Sequence, residues 1–420
     1  MFVESSSVDV DALYRAHAPA IAVSLARVFG AHRLDLIEAG VQEAFIAAIE
    51  QWNDPAVVPA EPGAWLHTVA RRKVVDALRR AAWFAPHGDL HLDLLEAPSA
   101  GDAHGDHALL AMMFVCCHPA LPVESALALA LRTLCGFPIP ALCRALYVDE
   151  AALEKRLARA RQTLRDEAVD FDLDARALTP DEVAAREHAV LRTLYVLFLE
   201  GYSAHAGAEQ IDVDLCRTAI RLSDVLVTGR PTPRAHALHA LFLLQASRLG
   251  ARTDAAGELV PLDCQDRTRW DRGLIARGLE HLSAAANGDA LSPFHLEAGI
   301  AAAHALAPTY AETPWRTIVG LYDRLLALAP SPVIAMQRAI AIGRADGPNA
   351  GLRALRLVAG DGRLDDDRVL AAAIGQLEAA RGDVRAARTA YRRALELAGT
   401  EPERRFIADR LAELEVERLR

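Results

Sequence analysis

"LIEAGVQEAFIAAIEQW", residues 36–52, sets apolar side chains three and four positions apart with no proline or turn pair to interrupt them. An α-helix returns to the same side every 3.6 residues, so this spacing draws one apolar face on a helix. The same period runs through "VDALYRAHAPAIAVSLARVF" (10–29) and "VRAARTAYRRALELA" (384–398). Alternating apolar and polar residues bounded by turn pairs, the mark of a strand, are nearly absent. Aromatics make up only 5% of the chain, and Ala, Leu and Arg, all good helix formers, dominate it. The expected fold class is all-α. At 420 residues and 52% hydrophobic, the chain is long enough for two or three domains with proper cores.

Several classes of function are disfavoured. There is no long charge-free apolar stretch, and "MFVESSSVDVDALYRAH" (1–17) carries acids where a leader would carry bases. Neither a membrane span nor a signal peptide is expected, and a cytoplasmic location is. Cys116, Cys117, Cys135, Cys143, Cys216 and Cys264 are too sparse for a disulfide framework. "FVCCHPALP" (114–122) sets Cys116, Cys117 and His118 side by side, but a structural zinc site needs a second ligand pair at short spacing and none is supplied. These residues read as small buried groups where Pro119 ends a helix. No metal, cofactor or catalytic residue is expected.

A net charge of -10 argues against non-specific nucleic-acid binding by the whole molecule, yet two segments run against it. "WLHTVARRKVVDALRRAAW" (65–83) holds Arg71, Arg72, Lys73, Arg79 and Arg80 against the single acid Asp76. "EAALEKRLARARQTLR" (150–165) holds Lys155, Arg156, Arg159, Arg161 and Arg165 against Glu150 and Glu154. The second segment follows "IPALCRAL" (139–146) and the short "YVD" (147–149), an arrangement that predicts a helix-turn-helix with the longer helix in a DNA groove. Between the two basic helices, residues 85–106 are rich in Asp, Gly, Pro and His and read as a flexible linker.

In this order the segments resemble regions 2 and 4 of bacterial extracytoplasmic-function sigma factors of the sigma-70 family. The resemblance rests on Gln42-Glu43-Ala44-Phe45, on Trp65-Leu66, and on Asp76-Ala77-Leu78-Arg79-Arg80, followed by the helix-turn-helix some sixty residues on. "FVCCHPALP", "LYVLFLEGYSA" (194–204), "LVPLDCQDRTRWD" (259–271) and "LYDRLLALAPSPVIAMQRAIAI" (321–342) are similar to a subclass with a C-terminal tetratricopeptide-like extension. The resemblance implies region 2 over 8–84, region 4 over 107–172 and the extension over 180–420. It implies core RNA polymerase, through clamp and flap, and promoter DNA as partners. Glu38, Gln42, Glu43, Phe45 and Trp52 would then face the clamp. Arg71, Arg72, Lys73, Asp76, Arg79 and Arg80 would hold the -10 element. Ala151, Glu154, Lys155, Arg156 and Arg159 would meet the -35 element, with Ala151, Glu154 and Lys155 near base edges and the two arginines on phosphate.

The last helical pair, "LAAAIGQLEAARGDVRAARTAYRRALELAG" (370–399), sets Gly375, Ala387, Tyr391 and Ala394 at the small and aromatic positions of a tetratricopeptide unit. Stacks of this kind take a protein or peptide ligand. "DCQDRTRW" (263–270) breaks the helical period and gathers Asp263, Gln265, Asp266, Arg267 and Trp270, which read as an ordered joining loop or as a regulatory contact to the sigma core. The alternative function is a tetratricopeptide-like interaction adaptor that carries a DNA-binding helix-turn-helix.

Overall fold

The computed structural model describes residues 10–52, 57–83, 102–146, 148–167, 179–202, 211–254, 258–288, 291–360 and 362–416. Regular structure among them is helical, apart from isolated bridge positions at Thr253, Leu259 and Thr400, of which the first two pair antiparallel. The all-α expectation is met. The chain divides into two compact units, residues 1–197 and 198–420.

The first unit opens with α1 (Val10–Phe29), a 3-10 turn (Ala31–Arg33), α2 (Leu34–Gln51) and α3 (Pro62–Trp83). Leu66, Ala70, Val74 and Leu78 recur at helical spacing and form the buried stripe of α3, while Ile37, Val41, Ala44 and Ala48 do the same for α2. Burying such a leucine or isoleucine stabilises the fold by roughly 1.5–3 kcal/mol. The two stripes meet closely because of Gly40, where a Cβ would stand 2.6 Å from Val74 Cγ2 and 3.0 Å from the Ala70 carbonyl oxygen. Only hydrogen fits there.

Next come α4 (Asp102–Cys116), α5 (Val123–Cys135), α6 (Ile139–Leu146) and α7 (Glu150–Asp166). Residues 126–131 of α5 are all buried, and the helix packs against α1, α4, α6 and α7. Gly136 ends it at φ 68°, a left-handed geometry that favours glycine. The side chain of Asp149 starts α7 by accepting from the Ala152 amide at 2.8 Å. Because α4 begins at Asp102, the end of the expected 85–106 linker is helical; residues 84–101 lie outside the described residues, as does Tyr147 of the expected turn.

α8 (Pro180–Tyr202) moves an expected boundary. Val190, Leu191, Leu194 and Leu197 are buried, and Arg186 Nη1 donates to the Phe114 carbonyl at 3.1 Å. The first unit runs to Leu197, past the expected end of region 4 at 172 and the expected start of the extension at 180. A buried stripe and a buried guanidinium fix α8 where composition showed only another helix. Cys116 and Cys117 sit at the end of α4, both buried, as their sequence context suggested. Desolvation pushes the Cys117 thiol up to about 12, so it is an inert group.

The second unit contains α9 (Val213–Gly229), α10 (Pro233–Ala246), α11 (Arg272–Ala285), α12 (Pro293–Leu306), α13 (Trp315–Leu328), α14 (Pro332–Asp346), α15 (Pro348–Ala359), α16 (Arg368–Ala380), α17 (Val384–Leu397) and α18 (Glu401–Val416). Successive helices from α12 onward pack on one another as hairpins. In α16 and α17 the closeness depends on Gly375, where a Cβ would lie 2.9 Å from the Tyr391 ring; Ala387 and Ala394 beneath it are fully buried. Among the described residues no helix is long and apolar enough to cross a membrane.

Candidate functional site

α3 presents Arg72, Arg79 and Arg80 on its exposed side. Arg71 is half-buried, with its Nε covered and unpartnered. Lys73 Nζ lies 3.0 Å from Glu43 Oε2, and Asp76 stands 4.0 Å from Arg79. The six residues expected at the -10 element thus occupy one helix, but only some are open, and Lys73 is paired with a residue expected to face polymerase.

On α7, Leu153, Leu157, Ala160 and Leu164 form the buried stripe, and Ala151, Glu154, Lys155 and Arg159 face out with Arg156 at the edge. The side chains of Lys155, Arg156 and Arg159 line a groove of about 610 Å³ with Leu121, Pro122 and Ser125. These three cations make no ion pair among the described residues. The helix is not basic on one face only. Arg161 and Arg165 point away from the groove, toward α2, where Arg161 donates to Glu38 and Arg165 Nη1 lies 2.8 Å from Asp35 Oδ2. A basic tally of residues 150–165 could not separate the two sets, because the acids that take Arg161 and Arg165 are more than a hundred positions away.

The expected polymerase-facing set also divides. Gln42 and Glu43 are exposed. Phe45 is 4% exposed, with its ring 4.8 Å from that of Tyr14, and Trp52 is 6% exposed, 5.0 Å from the Trp65 ring. Neither aromatic has surface to offer a partner, since the apolar stripe of α2 is spent on its own core. Glu38 is turned into the contact with α7 and accepts from Thr133 as well. The sequence reading missed Ile46 and Ile49, which are 54% and 57% exposed and share the outer face with Gln42 at i+4 and i+7. Their spacing from Gln42 was the available signal.

In the second unit the loop 263–270 serves as an internal clasp. Arg267 is buried and donates to the carbonyls of His304 and Ala307 and to Thr313 Oγ1, satisfying the last turn of α12. Its guanidinium lies 4.8 Å from the centre of the buried Trp270 ring, which also meets Arg248 at 5.8 Å. Gln265 is buried and donates to the Val260 carbonyl. Gln265, Arg267 and Trp270 are buried within the unit, in keeping with the joining-loop alternative, and Gln265 Oε1, Arg267 Nε and Trp270 Nε1 are covered without a hydrogen-bond partner. Asp263 and Asp266 are exposed; Asp263 stands 3.7 Å from Arg344, and Asp266 caps the short turn at Thr268. Among the described residues, no group of three His, Cys, Asp or Glu side chains is placed to hold a metal ion.

Residues 13–84 match the family model described as Sigma-70 region 2, which covers α1, α2 and α3. Residues 186–286 match a family of unknown function, DUF6596. An uncharacterised protein of Rhizobium meliloti (strain 1021) is 38% identical over 394 residues, which is 91% of each chain. No solved structure matches the chain.

Proposed function

The chain belongs to the sigma-70 family, as an extracytoplasmic-function-like member with a C-terminal extension, and we propose that it binds core RNA polymerase and directs promoter recognition and transcription initiation. The observation that supports this most directly is the pairing of two helices with open cations, Arg72, Arg79 and Arg80 on α3 and Lys155, Arg156 and Arg159 on α7, the first inside the matched region 2. Open arginines and lysines at helical spacing are what phosphate neutralisation requires.

In this reading α3 holds the opened -10 strand. α6 and α7 are the helix-turn-helix that reads the -35 element, with Lys155 and Glu154 at base edges and Arg156 and Arg159 on phosphate. The outer face of α2, with Gln42, Glu43, Ile46 and Ile49, docks on the polymerase clamp, an apolar centre with a polar rim. The helix-turn-helix unit meets the flap. Work with polymerase places the protein in the cytoplasm. The helical hairpins from α12 to α18 act as a tetratricopeptide-like stack that takes a peptide or protein ligand and regulates the tethered sigma core, where tethering supplies an effective concentration of roughly millimolar. The test is promoter binding by the complex with core polymerase. Lys155→Ala and Arg159→Ala should each weaken it by about 1 to 3 kcal/mol if the residue reads a base, or lower the salt slope by about one unit if it meets a phosphate. Unchanged affinity and slope in both variants would remove α7 from the DNA interface.

A further inference from the structure

We propose that the loop 263–270, with Arg248 just past α10 and His304 near the end of α12, forms a binding site for a small oxyanion, a carboxylate or a phosphate. The site lies within the second unit and stands whether or not the chain binds polymerase. At its centre is the buried Trp270 ring, with the Arg267 guanidinium 4.8 Å away and that of Arg248 5.8 Å away. The His304 carbonyl accepts from Arg267 Nη1 at 2.7 Å, which brings α12 against the same group. Arg252, next to Arg248 in the field of charges, adds a third guanidinium, held by the Tyr202 carbonyl and 4.0 Å from the centre of the Tyr202 ring. Among the described residues, no carboxylate stands within ion-pair distance of Arg248 or Arg267. The carbonyl ends of α10 and α12 together offset about one unit of charge, so an excess of positive charge remains.

Five polar atoms of this group are covered and have no hydrogen-bond partner: Arg248 Nε, Arg267 Nε, Trp270 Nε1, His304 Nδ1 and Gln265 Oε1. Buried polar atoms are nearly always partnered, so a cluster of them needs a physical reason. The two guanidinium nitrogens and the indole nitrogen carry hydrogens in every state, and His304 Nδ1 carries one in one tautomer. An oxyanion offers acceptors to all four. Gln265 Oε1 accepts instead and suits the hydroxyl of a protonated phosphate or of a hydroxy acid. A water molecule could take some of these hydrogen bonds but would leave the charge unbalanced, and buried charge is costly unless it is paired. Burial pushes the His304 ring down to about 4, with Arg248 and Arg267 adding to the effect, as expected where cations gather without an anion. Arg248 and His304 are half-buried, so part of each meets solvent. The Arg248 guanidinium has no hydrogen-bond partner among the described residues, which leaves this long side chain free to turn onto an incoming ion. Guanidinium and indole donors on a shared centre are suited to a carboxylate or phosphate oxygen.

The experiment is calorimetric titration of the full chain with inorganic phosphate and, in a separate arm, with succinate, at a fixed chloride concentration near neutral pH. The variants are Arg248→Met, which removes the open guanidinium, and Trp270→Phe, which removes the indole donor and keeps a ring. Arg385→Met, at an exposed arginine on α17, serves as the control. The expected result is one saturable site per chain in at least one arm, weakened roughly tenfold or more by Arg248→Met and by Trp270→Phe and unchanged by Arg385→Met. Tighter binding of phosphate assigns the site to a phosphate ligand, and tighter binding of succinate to a carboxylate. Melting profiles check that each variant is folded; if Arg248→Met is not, Trp270→Phe and Arg248→Lys carry the test, the lysine keeping the charge and losing the guanidinium donors. No saturable binding in either arm, or binding that the folded variants leave unchanged, would overturn the proposal.

Discussion

Lys73 Nζ lies 3.0 Å from Glu43 Oε2, joining the middle of α3 to the middle of α2. Both side chains are nearly half exposed, so the pair contributes at most about 1 kcal/mol to stability. A DNA phosphate could take the ammonium from Glu43 with little loss. Lys73→Ala is therefore expected to shift the denaturant midpoint by less than about 1 kcal/mol, while the slope of promoter binding against salt falls by about one unit. A lower stability with an unaltered slope would make Lys73 a structural residue only.

α8 sets where the chain can be cut. Its buried Leu191, Leu194 and Leu197 and the bond from Arg186 to Phe114 belong to the first unit. A chain ending at Leu197 should unfold cooperatively, whereas one ending near residue 172 loses that packing at roughly 2–5 kcal/mol for each large buried leucine removed. Urea melts of the two truncations decide the matter; equal stability would return the boundary to residue 172.

Arg267 supports the last turn of α12 through three oxygens. Replacing it by Met leaves those acceptors buried without a donor, which costs about 1–3 kcal/mol for each unsatisfied group. The melting transition of the second unit should fall by several degrees. Asp266→Asn, at an exposed cap, should shift it far less. Equal small shifts for both would revive the loop as a surface contact.

Acid should loosen the second unit. His239 is fully buried, with Nδ1 2.8 Å from Ser223 Oγ, and burial, with His281 and Arg277 nearby, pushes its pKa down to about 3. The unfolded chain binds a proton near the ordinary value of about 6.5 and the folded one does not, so stability is full above that value and is lost as the pH falls below it. At pH 5 the loss is on the order of 2 kcal/mol. His239→Gln should reduce the slope of melting temperature between pH 7 and pH 5; an identical slope would move the acid sensitivity to other groups.

The helices were legible because burial of one face imposes its period on neighbouring residues. α3, α7 and the α16–α17 hairpin follow that rule. What the sequence hid was partnership across distance. Arg161 and Lys155 carry the same charge on the same helix, yet one meets Glu38 and the other a groove, and only the placement of Glu38 beside α7 separates them. Phe45 and Trp52 were misleading for a related reason: an aromatic on an amphipathic helix satisfies its own core before any partner, and Tyr14 and Trp65 supply that core here. Arg267 sits in a stretch with no helical period, so nothing local showed that its donors reach α12.

The measurement that bears most directly on the account is reconstituted transcription with core RNA polymerase and the full chain on a panel of genomic promoters. The account predicts discrete start sites that depend on the protein and disappear when Lys155 and Arg159 are both changed to Ala. Absence of any start, together with no co-elution of the chain with core polymerase on a sizing column, would contradict it.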